Sequence, residues 1–251
     1  DWTVLEARSY PVCEESIGFF CSIAYLGMLE TIKMAFAATV FGFIGAILLS
    51  SLAARNLSPT WLSISVRILL SAMRSLPSLI WAILFVIIIG FGPLSGILAM
   101  TFYTIGYLGK LQYESIEGME SAPLEASRAT GLSHPEIFTN VVIPQTSNHL
   151  LSQMMFMFEY NVRHGTVIGI VGAGGIGYFI NNYLKFLMYD KVFALLAIIF
   201  IVVVIIDLLS MAVRSFVNEK GDVRRPSWFT VMLPAKKAVD VHHGLSLEEE
   251  S

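Results

Sequence analysis

Long apolar stretches with almost no charge constrain this chain more than any other feature of its sequence. The stretch 34–54 carries no charged residue, and the stretch 193–213 carries only Asp207. A helix needs about 20 consecutive apolar residues to cross the hydrocarbon core of a bilayer. The chain is 55% hydrophobic and 14% charged, whereas a soluble domain is about 45–50% apolar and about 25% charged. The sequence therefore predicts an all-α polytopic membrane protein.

Hydropathy predicts five core transmembrane helices, joined by connections of very different length. The predicted spans are 28–54, 72–91, 94–110, 147–168 and 192–213. An amphipathic stretch precedes the second span, and we expect it to form the interfacial start of that helix. Residue 1 is not a methionine, which leaves open a further helix upstream.

The predicted spans divide the chain into three regions. Residues 28–215 form the predicted transmembrane domain, which includes a long loop at 111–146. Residues 1–27 are expected to be an N-terminal extracytoplasmic or interfacial segment. Residues 216–251 are polar, and we expect them to form a flexible cytoplasmic tail.

Basic residues near the helix ends give the expected orientation in the membrane. Those on the side assigned to the cytoplasm are Arg55, Arg67, Arg74, Lys110, Arg128, Arg214, Lys220, Arg224 and Arg225. Cytoplasmic connections carry an excess of Lys and Arg. The N-terminus is therefore expected outside, and the 111–146 loop and the C-terminus inside. Lys33, Lys185 and Lys191 fall on the outer side and are a minority.

Composition argues against several functional classes. Nucleic acid is not an expected partner, since no basic patch with interleaved aromatic residues is visible. A zinc-type site needs about four N or S ligands, and the chain has two cysteines, Cys13 and Cys21. These form a disulfide if their end faces an oxidising compartment, or else remain two buried thiols. No nucleophile–base pair is visible either, so we do not expect an enzyme.

One motif argues instead for a nucleotide-binding enzyme. Gly172, Gly174 and Gly177 have the G-x-G-x-x-G spacing of a dinucleotide-binding loop, with Asp190 downstream. That loop belongs to a strand–turn–helix unit of a soluble α/β domain, whereas this one lies between two predicted spans. We interpret the match as chance, because glycine also serves wherever backbones approach closely. The glycines expected to form an outer gate or hinge are Gly172, Gly174, Gly175 and Gly177.

The 111–146 loop is much longer than a plain connection, whose median length is about 4–6 residues. A helix-compatible stretch in it ends at Gly131, a residue suited to the left-handed end of a helix. Ser133 followed by Glu136 is a capping-box pattern that begins a second short helix. Pro144 is expected to stop that helix before the next span. The loop is thus predicted to be a compact knob of two short helices.

The stretch 125–144 resembles the coupling motif of ABC importer permeases. That motif reads Glu-Ala-Ala, three residues, Gly, nine residues, and then Ile-x-Leu-Pro. The positions that match it or depart mildly are Glu125, Ala126, Ser127, Gly131, Val141, Ile143 and Pro144. The resemblance implies that these residues couple the membrane helices to a separate ATPase subunit. ATP and Mg are then bound by that subunit, and no cofactor by this chain, which lacks a phosphate-binding loop of the G-x-x-x-x-G-K-[ST] type.

Two further stretches, 75–100 and 158–177, are similar to the corresponding parts of phosphonate importer permeases. By this resemblance the chain is identified as a transmembrane permease subunit of a phosphonate or phosphite-type ABC importer, within the binding-protein-dependent permease family. The resemblance implies the type I ABC importer (MetI-like) fold in a bacterial cytoplasmic (inner) membrane. The implied partners are a second copy of this permease, two cytoplasmic ATPase subunits and an extracytoplasmic phosphonate-binding protein.

Polar residues near the outer end of the fourth span are the expected substrate pathway. They are Glu159, Asn161, Arg163 and Thr166. Glu159 and Arg163 are four residues apart and can simply pair along one helix face. Alternatively, Arg163 offers its planar fork of donors to a phosphonate. His164 is expected to be a packed neutral histidine, and Asp207 to meet a polar group on a neighbouring helix.

Three alternatives to a phosphorus oxyanion importer remain at this stage. A methionine-type amino-acid importer shares the coupling loop and the glycine-rich stretch, although the sequence FEYNVR at 158–163 favours the anion. A channel or ion-driven carrier needs no coupling loop. A membrane-bound NAD-dependent enzyme depends wholly on the glycines.

Overall fold

The computed structural model describes residues 22–218, which are helical apart from short connections. The helices are α1 (Ile23–Ala53), α2 (Thr60–Ser75), α3 (Ser78–Ile89), α4 (Pro93–Glu117), α5 (Ser121–Ala129), α6 (His134–Ile137), α7 (Ile143–Ile168), α8 (Ile176–Lys185) and α9 (Tyr189–Asn218). Both cysteines, most of the predicted N-terminal segment and most of the predicted tail lie outside the described residues.

The five predicted spans correspond to α1, the α2–α3 pair, α4, α7 and α9. By length and apolar composition, three stretches of the described chain are able to cross a membrane: Ile23–Ala53, His134–Lys185 and Tyr189–Arg214. Helices α2 and α3 are bent by 87° relative to each other. They add a fourth span if the two together form one broken span. The predicted span 94–110 lies in α4, which has 25 residues but a more polar composition.

Helix α1 lies at the centre of the described bundle and contacts α2, α4, α7 and α8. Small residues allow this close packing, as is common between membrane helices. At Gly106 of α4, an added Cβ would lie 2.9 Å from the backbone nitrogen of Arg74 and 3.0 Å from the carbonyl oxygen of Leu70. Helices α2 and α4 therefore meet backbone to backbone at Gly106.

The knob in the 111–146 loop begins as the sequence predicts. Gly131 ends α5 with a φ of 80°, and the Ser133–Glu136 capping box opens α6. The expectation that Pro144 stops the second helix is wrong. A π-helical turn, Phe138–Val142, joins α6 directly to α7 and places Pro144 in the first turn of α7. Proline is tolerated there because the amide hydrogen it lacks has no helical partner at that position.

We predict that Gly106→Ala destabilises the protein by separating α2 from α4. Overpacking of this kind typically costs about 1–3 kcal/mol, because the new Cβ meets backbone atoms that cannot rotate away. Thermal unfolding of the detergent-purified protein measures the effect. Gly118→Ala is the matched control, since a Cβ there meets only carbonyl oxygens of the adjacent α4 turn. Equal melting temperatures for the two variants would contradict the prediction.

Candidate substrate pathway and coupling site

Four charged side chains join α7 to α9. Glu159 accepts hydrogen bonds from Arg163, four residues along its own helix, and from Arg214 of α9 at 2.8 Å. Arg163 also donates to Oδ2 of Asp207 at 2.7 Å. Two guanidinium groups and two carboxylates therefore neutralise one another. Asp207 meets a polar group of a neighbouring helix, as the sequence suggests, and the Glu159–Arg163 pair forms.

This network leaves Arg163 little capacity for a passing anion. Its side chain is 46% exposed, but two carboxylates already hold the guanidinium. Thr166 donates its hydroxyl hydrogen to the carbonyl oxygen of Arg163 at 2.6 Å, which satisfies it within its own helix. The role of Arg163 as an anion donor stays a prediction, and the geometry favours the pairing alternative.

Asn161 lies at the junction of α1, α4 and α7. Its amide nitrogen donates to the hydroxyls of Thr39 at 2.9 Å and Thr104 at 3.0 Å. All three residues are buried, with Asn161 only 1% exposed. In this conformation Asn161 therefore holds three helices together and has no surface to offer a substrate, so its predicted place in the pathway depends on another conformation.

The predicted gate glycines form the connection between α7 and α8. Gly172, Gly174 and Gly175 have φ values of 90°, 86° and 72°, which residues with a side chain rarely adopt. The carbonyl oxygen of Gly172 accepts the N–H of Gly92 at 3.1 Å, so this loop is attached to the α3–α4 turn.

Contacts to α1 and α7 also explain why these positions have no room for a side chain. The hydroxyl of Thr31 accepts the N–H of Ile176 at 3.0 Å, and a Cβ at Gly175 would lie 2.5 Å from the same oxygen. Gly177 faces the carbonyl oxygen of Thr166 with no room for a Cβ. The residues on either side of the loop are helical, so the strand that a dinucleotide-binding loop follows is not there. Whether the loop acts as a gate stays a prediction.

The predicted coupling residues lie on a knob with a buried side and an exposed side. Leu124, Ile137 and Val142 pack in an apolar cluster that also contains Leu57 and Ile116. The cluster attaches the knob to the α1–α2 turn and to the end of α4. It is therefore a rigid part of the helix bundle.

The exposed side of the knob carries Glu125, Ala126, Gly131 and Pro144. Ser127 is buried and donates to the carbonyl oxygen of Leu124 at 2.8 Å, while Val141 and Ile143 are half-buried. Glu125 has no ion pair or hydrogen-bond partner within residues 22–218. The motif residues thus divide between packing the knob and presenting an open surface.

Two hydrogen bonds stiffen the start of α6. The backbone N–H and the hydroxyl of Ser133 donate to Glu136 at 2.8 and 2.6 Å. Both bonds favour the ionised carboxylate, and they hold the pKa of Glu136 below its usual range. The exposed tip of the knob is therefore ordered by a charged cap at neutral pH.

Sequence reasoning missed a polar latch beneath the knob, which consists of Glu117, Arg67 and the α1–α2 turn. Glu117, the last residue of α4, forms an ion pair with Arg67 of α2 and accepts the N–H of Arg55 at 2.7 Å. Arg67 also donates to the carbonyl oxygen of Ala53 at 2.9 Å. The latch joins α1, α2 and α4 at the same end as the knob. Opposite charges 50 positions apart gave no sequence signal for this pair.

A second missed feature is a cavity at the α2–α3 bend. Its volume is about 380 Å³, and its lining includes Arg74, Tyr103, Tyr160 and His164. The sequence interpretation counted Arg74 among the cytoplasmic helix ends. That placement stays a prediction, and the backbone nitrogen of Arg74 lies against Gly106, four residues before the end of the predicted span 94–110.

Comparison with known proteins identifies the chain. Residues 46–219 match the family described as the inner membrane component of binding-protein-dependent transport systems. The chain belongs to this family. It is a permease of the ABC importer class, as the sequence predicts, and residues 22–218 are helical apart from short connections.

Two relatives with names that refer to phosphorus oxyanions are similar to this chain over most of its length. The phosphite transport system permease protein PtxC of Stutzerimonas stutzeri is 37% identical over 188 residues, which cover 74% of this chain and 68% of that protein. The phosphate-import permease protein PhnE of Mycolicibacterium smegmatis is 34% identical over 194 residues, or 76% of this chain and 36% of that protein. The permease therefore spans about a third of the second, longer relative.

Solved structures share the fold. An inward-facing structure of the MetNI methionine ABC transporter superposes with a TM-score of 0.69, covering 78% of this permease and 96% of that chain. The sequences are 22% identical, so the similarity extends to the fold alone. The expected MetI-like architecture is confirmed.

We predict that Arg163→Gln lowers the melting temperature, because it leaves Asp207 without a partner beside a carboxylate. Removing one partner of a buried ion pair lowers the free energy of unfolding by about 3–5 kcal/mol, and we expect a smaller loss here because Arg163 is half-exposed. The double variant Arg163→Gln/Asp207→Asn should recover most of the loss, since Glu159 keeps Arg214. Thermal unfolding and uptake by proteoliposomes check both variants. Uptake that stays lost while stability recovers would assign Arg163 to the pathway after all.

Proposed function

We propose that this permease forms the translocation path of an ATP-driven importer for a phosphorus oxyanion, namely phosphite or a phosphonate. The observation that carries the substrate is the 37% identity to a phosphite permease across 74% of this chain. A relative named for phosphate import supports the same chemical class. All these substrates are tetrahedral phosphorus centres with charged oxygens.

The assembly that we propose contains two copies of the permease, separate ATPase subunits on the cytoplasmic side and an extracytoplasmic binding protein. The family description supports the binding protein. The open face of the knob around Glu125 supports a docked ATPase, because an acidic residue without a partner among the described residues is available to another chain. The N-terminus is then outside and the C-terminus cytoplasmic, according to the excess of basic residues.

The proposed coupling is mechanical. The knob is attached to the α1–α2 turn and to the end of α4 through the apolar cluster and the latch. Its second helix continues into α7 through the π-helical turn. Closure of the ATPase subunits therefore moves α7 directly and α1, α2 and α4 through side-chain contacts. Rigid-body rotations of this kind switch many transporters between two states.

The glycine loop at 172–175 is the proposed outer gate. It joins α7, which the knob drives, to the α3–α4 turn through the Gly92–Gly172 hydrogen bond. A movement of α7 is therefore transmitted to the opposite end of the bundle. Opening on one side with closing on the other is the requirement of alternating access.

The substrate assignment is tested with the complete importer reconstituted in liposomes, with its ATPase and binding protein. We expect phosphite or methylphosphonate to stimulate ATP hydrolysis and to be taken up, whereas methionine has neither effect. Phosphate serves as the third anion and separates a general oxyanion importer from a selective one. Stimulation by methionine alone would replace the proposal with the amino-acid importer.

The coupling role is tested with Glu125→Lys. We expect this variant to lose most of its ATPase co-purification and at least about tenfold of its uptake, because the change turns a proposed interfacial pair into a repulsion. Asp190→Lys is the matched control, an exposed acidic residue at the start of α9, away from the knob. Full coupling in Glu125→Lys would exclude this residue from the ATPase interface.

A further inference from the structure

The cavity at the α2–α3 bend lies between α2, α3, α4 and α7 and opens to the surface beside Ser75, Pro77 and Val167. Helix α4 has 25 residues and is about 37 Å long at 1.5 Å per residue, comparable to the thickness of a bilayer. Arg74 meets α4 at Gly106, near its midpoint. An ionisable side chain within a bundle of membrane helices is expensive and usually serves a pathway.

Arg74 differs from the other arginines of the membrane helices in having no counter-charge. Arg67 pairs with Glu117, Arg163 with Glu159 and Asp207, and Arg214 with Glu159. Within residues 22–218, the Arg74 guanidinium has neither an ion pair nor a hydrogen-bond acceptor. A half-buried cation without a partner destabilises a fold. Its five donors remain available to an anion in the cavity.

The rest of the lining complements a protonated oxyanion. Nδ1 of His164 lies 3.0 Å from the carbonyl oxygen of Tyr160, and because a carbonyl only accepts, Nδ1 carries the hydrogen. Neutral His164 then has Nε2 as an acceptor. Tyr103 and Tyr160 line the same cavity and add aromatic surface to it.

The α2–α3 bend itself adds backbone hydrogen-bond donors to the cavity. Ser78 and Leu79 begin α3 and line the cavity, and the first N–H groups of any helix have no partner within it. Broken helices at mid-membrane present such N-termini to anionic groups in transporters. Here they only supplement the unpaired cation and the aromatic wall.

We propose that the cavity at the α2–α3 bend is a transient binding site for a monoprotonated phosphorus oxyanion, held by Arg74. The charged oxygens accept from Arg74, while the P–OH group donates to Nε2 of His164. The proposal rests on the proposed function and specifies the residues of its pathway, since it replaces Arg163 with Arg74. The stacked rings of Tyr160 and His164, with centroids 3.7 Å apart, form one wall.

The first test is protection from chemical labelling. Cys13 and Cys21 are replaced by serine, and Ser75→Cys places one thiol on the exposed rim of the cavity. The complete importer is treated with a negatively charged methanethiosulfonate. We expect phosphite or methylphosphonate at millimolar concentration to slow labelling by about fivefold or more through direct competition for the guanidinium. Methionine should have no effect, and adding Arg74→Gln should abolish protection. An unchanged labelling rate with phosphite would overturn the site.

The second test compares stability with transport. Arg74→Gln should unfold at the same or a higher temperature, because it removes an unpaired charge, and yet reduce phosphite uptake about tenfold or more. Arg74→Lys should restore part of the uptake, because it keeps the charge without the planar fork. Arg67→Gln is the matched control on the same helix, and it should lower the melting temperature because it breaks the latch.

The outcomes separate the site from the function. If the unmodified importer takes up phosphite and Arg74→Gln does so equally well, the site is wrong and the proposed function stands. If the unmodified importer takes up no phosphorus oxyanion, the proposed function is wrong and the site loses its basis. Reduced uptake together with a lowered melting temperature in Arg74→Gln would make Arg74 a structural residue.

Discussion

The cost of an unpaired charge in a bilayer determines how this protein is held together. Charged groups in hydrocarbon need a partner or an aqueous path, and most of those in the bundle have one. Two ion pairs of the Glu159 network, Arg163–Asp207 and Glu159–Arg214, join α7 to α9. The Arg67–Glu117 pair joins α2 to α4.

The presence or absence of a counter-charge also distinguishes the arginines that hold the fold together from the arginine proposed to bind substrate. Arg163 looked like the natural anion donor in the sequence, because it stands near a glycine-rich loop at the outer end of a span. Its two carboxylate partners come from its own helix and from a residue 44 positions away. Arg74 looked like an ordinary cytoplasmic anchor, but it lacks any such partner among the described residues. The Glu159–Arg163 pair was predictable from its i, i+4 spacing, whereas the Arg163–Asp207 pair joins distant segments and was not.

Local features of the chain were predictable and distant ones were not. The apolar stretches give the helices, Gly131 gives the end of α5, and the Ser133–Glu136 box gives the start of α6, because each depends on neighbouring residues. Pro144 was misjudged because the sequence does not show that α7 begins at Ile143, which places the proline in a first turn that tolerates it. The bend at 76–77 was missed because the span 72–91 was predicted from hydropathy, which does not register direction, although Pro77 is a local signal for a break.

Helix α2 connects the two halves of the proposed mechanism. Arg67 in the latch and Arg74 in the cavity are seven residues apart, two helical turns on one face. The latch lies beneath the knob, so in the proposed mechanism a force on the knob reaches α2 through Glu117 and shifts Arg74 relative to the cavity. A site made of one unpaired cation and neutral donors binds weakly, and a small displacement is enough to empty it. A carboxylate there would make the site repel the anion, and a second arginine would make it retain the anion, and both would stop transport.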